Sequence, residues 1–214
     1  MKIDKQLVSE EMLPLSVFLL YPSKPIFCTT KNLDGTDNVA PFAWLMPVSV
    51  TPPRVALALQ NIRGSKLSAS LVNIQREGEF VINLPHRGQE TELVQASFML
   101  VNHCCKFDRT GFTREDAEIV APKIIAECYA ALECKVVQVI DVMGDHSLIL
   151  ADVVSSRYSK EYYDEELRPR IPQAEPLMSL REYRFDEKQR HVFVKADSTY
   201  EVDIHYEKSE VSDI

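Results

Sequence analysis

The sequence predicts a mainly β domain, an antiparallel barrel with appended helices. Six short runs have the composition of β-strands and follow one another at hairpin-sized spacing. Only the stretch from residue 54 to residue 84 places a helix between two strands, whereas a doubly wound parallel sheet needs several such crossovers. A closed antiparallel barrel therefore fits this order of elements better than an open parallel sheet.

The predicted strands are bounded by proline, glycine and turn-forming dipeptides. Asp34-Gly35 is typical of a hairpin turn, and Met143-Gly144-Asp145 joins the last two strands. Prolines inside the second run confine it to sheet edges, bends or bulges. The six strands are Pro25–Lys31, Asn38–Val50, Arg54–Gln60, Glu79–Leu84, Leu132–Val142 and His146–Ser155.

Two helices are expected beside these strands. Leu67, Leu71 and Ile74 recur at helical spacing, and Gly78 is well placed as the C-terminal stop. Two serines, at positions 65 and 68, are equally good N-caps, so the start of this helix stays open. A second helix is predicted over Glu90–Val101.

Charge density and hydrophobic patterning divide the chain into two parts. Residues 1–158 read as one domain, while charge density rises and the periodic pattern weakens from residue 159 to residue 214. We interpret the second part as a C-terminal extension that either wraps around the domain or frays.

Charge and composition exclude several classes of partner. The chain has 24 basic and 32 acidic residues, so its net charge is −8, and no basic block favours nucleic acid or an anionic membrane. The uncharged stretch at 38–53 contains four prolines and is shorter than the ~20 apolar residues that a membrane span needs. The N-terminus lacks the apolar region of a secretory signal. Five cysteines without CxxC spacing indicate neither a disulfide framework nor a zinc site, so a reducing cytoplasm is the expected location.

The first candidate site is the segment from Asn61 to Ser70, which follows a strand and opens a helix. Helix N-termini attract anions because their first N–H groups lack partners, and arginine and serine add donors for phosphate oxygens. The same residues also suit a capped surface helix with two solvated cations. The donors concerned are the side chains of Arg63, Ser65, Lys66, Ser68 and Ser70.

The second candidate is Asn38–Thr51, an uncharged and proline-bent segment with two aromatic residues. A flat heterocycle suits an apolar wall backed by strand-edge N–H and C=O groups, and Pro41 and Pro47 would leave such groups unpaired. Read alone, the segment fits a core strand better than a ligand site.

The third candidate is His146, which a turn places at the start of a strand and hence at a barrel rim. Imidazole titrates near neutrality and can orient a ligand amide or move a proton, although a lone histidine is more often structural. Cys104 and Cys105 are adjacent, a spacing that strains a disulfide, so thiols are the simpler reading.

In their order and spacing, three stretches resemble the flavin reductase-like FMN-binding proteins, a family of NAD(P)H:flavin reductases and flavoredoxin-type carriers. They are NVAPFAWLMPVSVTPPRVALAL, NIRGSKLSASLVNIQREGEFVINLP and LECKVVQVIDVMGDHSLILADVV. The resemblance spans about Pro14 to Tyr158. It implies an FMN-binding split barrel and a homodimer with the flavin near the subunit interface.

The resemblance also implies roles for particular residues. The segment at 38–51 would line the flavin ring, the basic and hydroxyl positions would hold its phosphate, and His146 would contact NAD(P)H. Ala43 stands where family members often carry serine or threonine, which removes one flavin hydrogen bond. The expected cofactor residues are Asn38, Ala40, Pro41, Phe42, Ala43, Trp44, Ser49, Val50, Thr51, Asn61, Arg63, Ser65, Lys66, Ser68, Ser70 and Asn83.

We therefore expect an oxidoreductase that transfers hydride from NAD(P)H to FMN. One alternative is a flavoredoxin-type electron carrier that holds FMN, serves a redox partner protein and has no pyridine-nucleotide activity. A second is a flavin-free binding protein on the same scaffold.

Overall fold

The computed structural model describes residues 3–63, 66–97, 106–170, 175–185 and 188–195. Its helices are a 3-10 helix at Glu10–Leu20, α1 (Ala69–Glu77), α2 (Glu90–Ser97) and α3 (Lys106–Thr110). Its strands are β1 (Ile26–Lys31), β2 (Asp37–Phe42), β3 (Leu45–Ser49), β4 (Arg54–Gln60), β5 (Ile62–Arg63), β6 (Lys66–Leu67), β7 (Glu79–Leu84), β8 (Arg114–Glu115), β9 (Ile124–Ile125), β10 (Ala130–Asp141), β11 (His146–Tyr158), β12 (Met178–Phe185) and β13 (Lys188–Val194).

Seven strands form one antiparallel sheet in the order β2-β1-β7-β10-β11-β4-β3. The two edge strands, β2 and β3, are consecutive along the chain and are separated only by Ala43 and Trp44. In a flat sheet the edges would lie roughly 29 Å apart, because neighbouring strands are about 4.8 Å apart. Two residues cannot span that distance. The sheet must therefore curl until its edges meet, which makes residues 43–44 the corner of a barrel.

Strand β1 is buried on both faces, and its alternating side chains enter different clusters. Ile26 and Cys28 pack with residues of β4, β7, β10 and β11 in the inner cluster, which also includes Leu71 and Ile74 of α1. Phe27, between them, packs outside the barrel in a cluster with residues of α2 and α3. The barrel thus has an inner core and an outer layer of helices.

Most predicted elements are confirmed, and one is corrected. Helix α1 ends at Gly78, whose φ of 72° is the left-handed conformation that glycine adopts at low cost. The run at 38–50 is not one strand, because the corner divides it into β2 and β3 at opposite sheet edges. The predicted helix over Glu90–Val101 is described as far as Ser97, and its remainder lies outside the described residues.

The connection from β4 to β7 through α1 is not a parallel crossover. Strands β10 and β11 lie between β4 and β7, and every neighbouring pair in the sheet is antiparallel, so β4 and β7 run in opposite directions. The antiparallel fold class predicted from the sequence is confirmed.

The described part of the predicted C-terminal extension lies against the barrel. Ser23 and Ser179 exchange two backbone hydrogen bonds of 3.0 and 2.9 Å. Leu177 is 1% exposed and joins the outer cluster around Phe27. The β12–β13 hairpin follows directly, a pair of strands that the sequence pattern did not indicate.

Candidate functional site

The barrel corner holds a half-exposed tryptophan in three contacts. The Trp44 carbonyl accepts a 2.9 Å hydrogen bond from the Ala58 N–H, which anchors the corner to β4. Its indole Nε1 donates to the Tyr21 hydroxyl at 3.1 Å, and its ring stacks on His146 with centroids 4.6 Å apart. The indole plane is therefore fixed by partners from two other parts of the chain.

A cavity of about 710 Å³ opens beside this corner, and we call it the corner cavity. That volume lies within the range of small-molecule and cofactor sites. Residues of β2, the corner and β4 supply an apolar wall, and the N-terminal 3-10 helix with the residue after it supplies the outer wall. The last residues of β4 and α2, together with the start of β11 and the residue before it, supply a polar rim. These walls comprise Pro41, Phe42, Ala43, Trp44 and Ala58, then Pro14, Val17, Phe18 and Tyr21, and finally Gln60, Ser97, Asp145 and His146.

His146 lies on the rim with its orientation set from two sides. Its Nδ1 is 2.7 Å from the Asp145 carboxylate, and its ring face rests on Trp44. The hydrogen bond and charge of His146 lower the pKa of Asp145. The Asp145 carboxylate is therefore ionised at neutral pH. Because it engages Nδ1 of His146, the second ring nitrogen, Nε2, is the one that can bond a ligand.

Asn61 connects the rim to the start of α1. Its N–H donates to the Asp145 carbonyl at 2.8 Å, its side-chain oxygen accepts from the Ser147 hydroxyl at 2.7 Å, and its carbonyl accepts from the Ser68 N–H at 2.9 Å. Its side-chain amide also donates to the Gly144 carbonyl at 3.3 Å. These bonds hold the rim in position, and the role of Asn61 as a cofactor ligand stays a prediction.

Three other predicted ligands lie inside the protein with their polar groups engaged. Asn38 is 4% exposed and donates to Thr30 and to Ser70, each at 3.0 Å, and Ser70 is 2% exposed. Asn83 is fully buried and accepts a 2.9 Å hydrogen bond from the Ile125 N–H. The structure does not bring these three side chains to the corner cavity, because they bond one another or the backbone in the interior. Their assignment as cofactor residues stays a prediction.

Four residues of the segment at 38–51 also lie away from the corner cavity. Ala40 is a buried core residue on β2. Ser49, Val50 and Thr51 lie at the far end of β3 and in the turn after it, and Val50 is 89% exposed. The structure thus retains Pro41, Phe42, Ala43 and Trp44 as cavity residues and does not bring these other four to the cavity.

The predicted phosphate segment forms the β5–β6 hairpin, which leads directly into α1. The backbones of Arg63 and Lys66 pair in this hairpin, while their side chains, and residue Ser65, lie outside what the structure describes. Ser68 is the N-cap residue, yet its side chain makes no capping hydrogen bond. The hairpin begins two residues after Gln60, which lines the corner cavity.

Of the cavity residues Tyr21, Gln60 and Asp145, the sequence pointed only to Asp145, as part of the turn before His146. Gln60 precedes Asn61 and Asp145 precedes His146, and both of those neighbours were predicted as site residues. Tyr21 carries no local signal, because its contact with Trp44 spans 23 positions.

The described cysteines are thiols remote from the cavity. Burial raises the pKa of Cys28, and it raises that of Cys134 to about 12. Such thiols are poor nucleophiles near neutrality. Cys104 and Cys105 lie outside the described residues. Among the described residues, no cluster of three metal-ligating side chains occurs and no helix is long and apolar enough to cross a membrane.

A family model for the flavin reductase-like domain matches residues 18–181. The chain belongs to the flavin reductase-like family. The match includes the whole barrel and extends beyond residue 158, where the sequence predicted the domain to end.

Members and structures similar to this flavin reductase-like protein come from bacteria and archaea. An uncharacterised protein of Methanothermobacter thermautotrophicus is 27% identical over 165 residues, or 75% of this chain and 76% of the relative. Nitrilotriacetate monooxygenase component B from Bacillus cereus has a TM-score of 0.77 at 17% identity, over 94% of this chain and 98% of that one. Flavoredoxin from Methanosarcina acetivorans has a TM-score of 0.73 at 17% identity, over 98% and 100%. The split-barrel fold implied by the resemblance is confirmed.

Proposed function

We propose that this flavin reductase-like protein binds FMN in the corner cavity and accepts hydride from NAD(P)H there. The observation that carries the proposal is the corner cavity itself. In this chain, a member of a flavin-binding family, a space of cofactor size opens at the corner where the two sheet edges meet. Bound flavin would supply the redox chemistry by accepting and releasing hydride equivalents.

The residues present suit such a cofactor. Phe42, Ala43 and Trp44 offer an apolar wall to a flat ring, and the edge strands on either side of the corner offer backbone donors and acceptors. A phosphate would lie towards the β5–β6 hairpin, with Arg63 and Lys66 as its cationic partners and Ser65 and Ser68 as hydroxyl donors. Those four residues follow Gln60 within eight positions, which supports placing both ends of the cofactor in one continuous site.

His146 would orient the pyridine nucleotide at the rim, because Asp145 and Trp44 hold its ring in place. The imidazole Nε2 then has the geometry of a hydrogen-bonding partner for a ligand amide rather than that of an essential base. In this proposal the protein's residues bind FMN, orient the pyridine nucleotide and shield the site from solvent. None of them forms a covalent bond with substrate.

We also propose a homodimer. The outer edge strand β3 presents Met46 and Val48 at 56% and 42% exposure, next to Val50 at 89%. Contiguous exposed apolar side chains on an unpaired edge are typical of a surface that another subunit covers. Because β3 begins at Leu45, immediately after the corner, this interface would adjoin the proposed flavin site.

The test of FMN binding is the absorbance spectrum of the protein after incubation with FMN and removal of the excess by desalting. We expect retained flavin peaks shifted from those of free FMN, and weaker retention of riboflavin because it lacks the phosphate. Arg63→Ala should lower FMN affinity on the order of tenfold or more, since a charged hydrogen bond contributes about 1.5–3 kcal/mol. Riboflavin affinity should change little in this variant. A bare protein spectrum with both flavins would contradict the proposal.

The flavoredoxin-like fold makes an electron carrier the second candidate, in which a redox partner protein replaces NAD(P)H. Anaerobic stopped-flow mixing of the FMN-loaded protein with NADH and with NADPH separates the two. An NAD(P)H oxidoreductase bleaches its flavin absorbance on mixing, whereas the carrier stays yellow until another reductant is added.

The free thiols of Cys28 and Cys134 are consistent with the cytoplasmic location that we propose.

His146→Ala should raise the KM for NAD(P)H by about fivefold or more while changing FMN affinity by no more than about twofold. The reason is that His146 forms the rim, while the apolar wall and the cationic hairpin remain in place. Asp145→Asn is the matched control: it keeps a hydrogen-bonding partner for His146 and should show a smaller rise. A large loss of FMN affinity in His146→Ala would contradict the assigned role.

A further inference from the structure

Tyr21 connects the outer wall of the corner cavity to the barrel corner. Both Tyr21 and Trp44 line this cavity, and the Tyr21 hydroxyl oxygen lies 3.1 Å from Trp44 Nε1. An indole N–H donates and cannot accept, so the phenol oxygen is the acceptor in this bond. The hydroxyl proton of Tyr21 is therefore left for another partner.

Among the described residues, no group accepts that proton. The contact between Tyr21 and Trp44 is open to solvent rather than sealed in the interior. A molecule that enters the corner cavity can therefore reach the Tyr21 hydroxyl without any rearrangement of the fold.

The position of this hydroxyl is fixed from both sides. The Tyr21 N–H donates to the Phe18 carbonyl at 3.2 Å, and the two rings meet edge to face with centroids 5.4 Å apart. Trp44 is itself held by Ala58 and His146. A hydroxyl whose oxygen already accepts a hydrogen bond is polarised, which strengthens the bond that it donates. Tyr21 thus presents a pre-organised donor to the cavity.

The rest of the outer wall has no equivalent donor, because its other side chains are those of Pro14, Val17 and Phe18. On the polar rim, the Ser97 hydroxyl already donates to a backbone carbonyl at 2.6 Å, and the ionised Asp145 only accepts. A polar atom on the edge of a ligand that faces the outer wall would therefore find its side-chain donor in Tyr21.

We propose that the Tyr21 hydroxyl donates a hydrogen bond to an oxygen or nitrogen atom at the edge of the flavin ring and thereby favours the reduced form. This inference rests on the proposed function, since it concerns a ring bound in the corner cavity. Accepting a hydride gives the ring one negative charge, which is spread over its nitrogen and oxygen atoms. Hydrogen bonds to charged acceptors are stronger than those to neutral ones, so the donor stabilises the reduced ring more than the oxidised ring. Trp44 positions the hydroxyl.

The test compares Tyr21→Phe with the wild type, because phenylalanine keeps the aromatic ring and removes only the hydroxyl. FMN affinity is measured for the oxidised cofactor and, anaerobically, for the reduced cofactor, and the midpoint potential of the bound cofactor is measured independently. We expect the variant to lose about three- to tenfold more affinity for reduced than for oxidised FMN, the range for one hydrogen bond. This corresponds to a midpoint potential lower by about 14 to 30 mV, since tenfold equals about 30 mV for two electrons.

Tyr158→Phe is the matched control, because Tyr158 ends β11, is 38% exposed and does not line the corner cavity. Both affinities and the potential should equal those of the wild type in this variant. Circular dichroism checks that both variants fold.

Three outcomes would overturn the inference. They are an unchanged potential in Tyr21→Phe, equal losses of affinity for the two forms of FMN, and a similar fall in potential in Tyr158→Phe. Equal losses would mean that Tyr21 only anchors the outer wall. A wild-type protein that retains no flavin would defeat the proposed function together with this inference, whereas retained FMN with an unchanged potential in Tyr21→Phe would defeat this inference alone.

Discussion

Replacing Glu133 with alanine should lower the free energy of unfolding by on the order of 4 kcal/mol. Glu133 is fully buried on β10, and its carboxylate accepts hydrogen bonds of 2.9, 2.6 and 3.2 Å from the backbone N–H groups of Glu118, Ile119 and Val120. Alanine leaves the buried Val120 N–H without an acceptor and also removes the acceptor of the partly buried N–H groups of Glu118 and Ile119. Urea unfolding of the wild type and the variant measures the difference.

Glu133→Gln separates the charge of this group from its shape. Burial acts to raise the pKa of Glu133, but the three backbone hydrogen bonds outweigh it, so the pKa is lowered overall. A lowered pKa means that the carboxylate stabilises the fold above the unfolded pKa of about 4.3 and that this contribution is lost as the pH falls through the folded value. The stability gap between wild type and Glu133→Gln should therefore be largest near neutrality and should shrink in acid.

Glu127 offers the matched control for this experiment. Its carboxylate accepts hydrogen bonds of 3.0 and 3.1 Å from the Thr113 N–H in an exposed setting. Glu127→Gln should lower the free energy of unfolding by less than about 1 kcal/mol, because water can replace an exposed acceptor. Equal losses in the glutamine variants of Glu127 and Glu133 would show that burial of the Glu133 carboxylate does not determine the effect.

Replacing Leu177 with alanine should cost about 2–5 kcal/mol of unfolding free energy, the usual range for a buried leucine. Leu177 packs with Phe27, Phe107 and Ile125 in the outer cluster, although it lies in the part of the chain that the sequence assigned to an extension. Thermal or urea unfolding measures the loss. Leu33→Ala, at an 84% exposed turn position, is the control and should be nearly neutral.

The Leu177 result bears directly on the limits of the domain. A loss as small as that of Leu33→Ala would mean that the segment after residue 158 contributes little to the fold. A loss of unfolding free energy within the expected range would place the end of the folded domain beyond Leu177. That agrees with a family match that ends at residue 181.

The sequence by itself determined the strand segments of the seven-stranded sheet, apart from the corner that divides β2 from β3, together with the α1 helix and the antiparallel class. These features follow from local rules: apolar runs separated by turn residues, helical spacing up to Gly78, and hairpin-length connections. It also located the corner residues Phe42, Ala43 and Trp44, because an uncharged stretch broken by prolines is visible without any knowledge of its neighbours.

Only the tertiary structure decided which polar residues face a ligand. Asn38, Ser70 and Asn83 have the composition of a binding site, yet they point inward and bond Thr30, one another or Ile125. Strand register turns Asn38 and Asn83 inward, and the packing of α1 does the same for Ser70. Conversely, Tyr21 joins the site and Glu133 holds a distant turn through contacts that no local pattern encodes. The physical reason is that a side chain's role depends on which face of the curled sheet it occupies, and closure of the barrel by residues far apart in the chain sets that face.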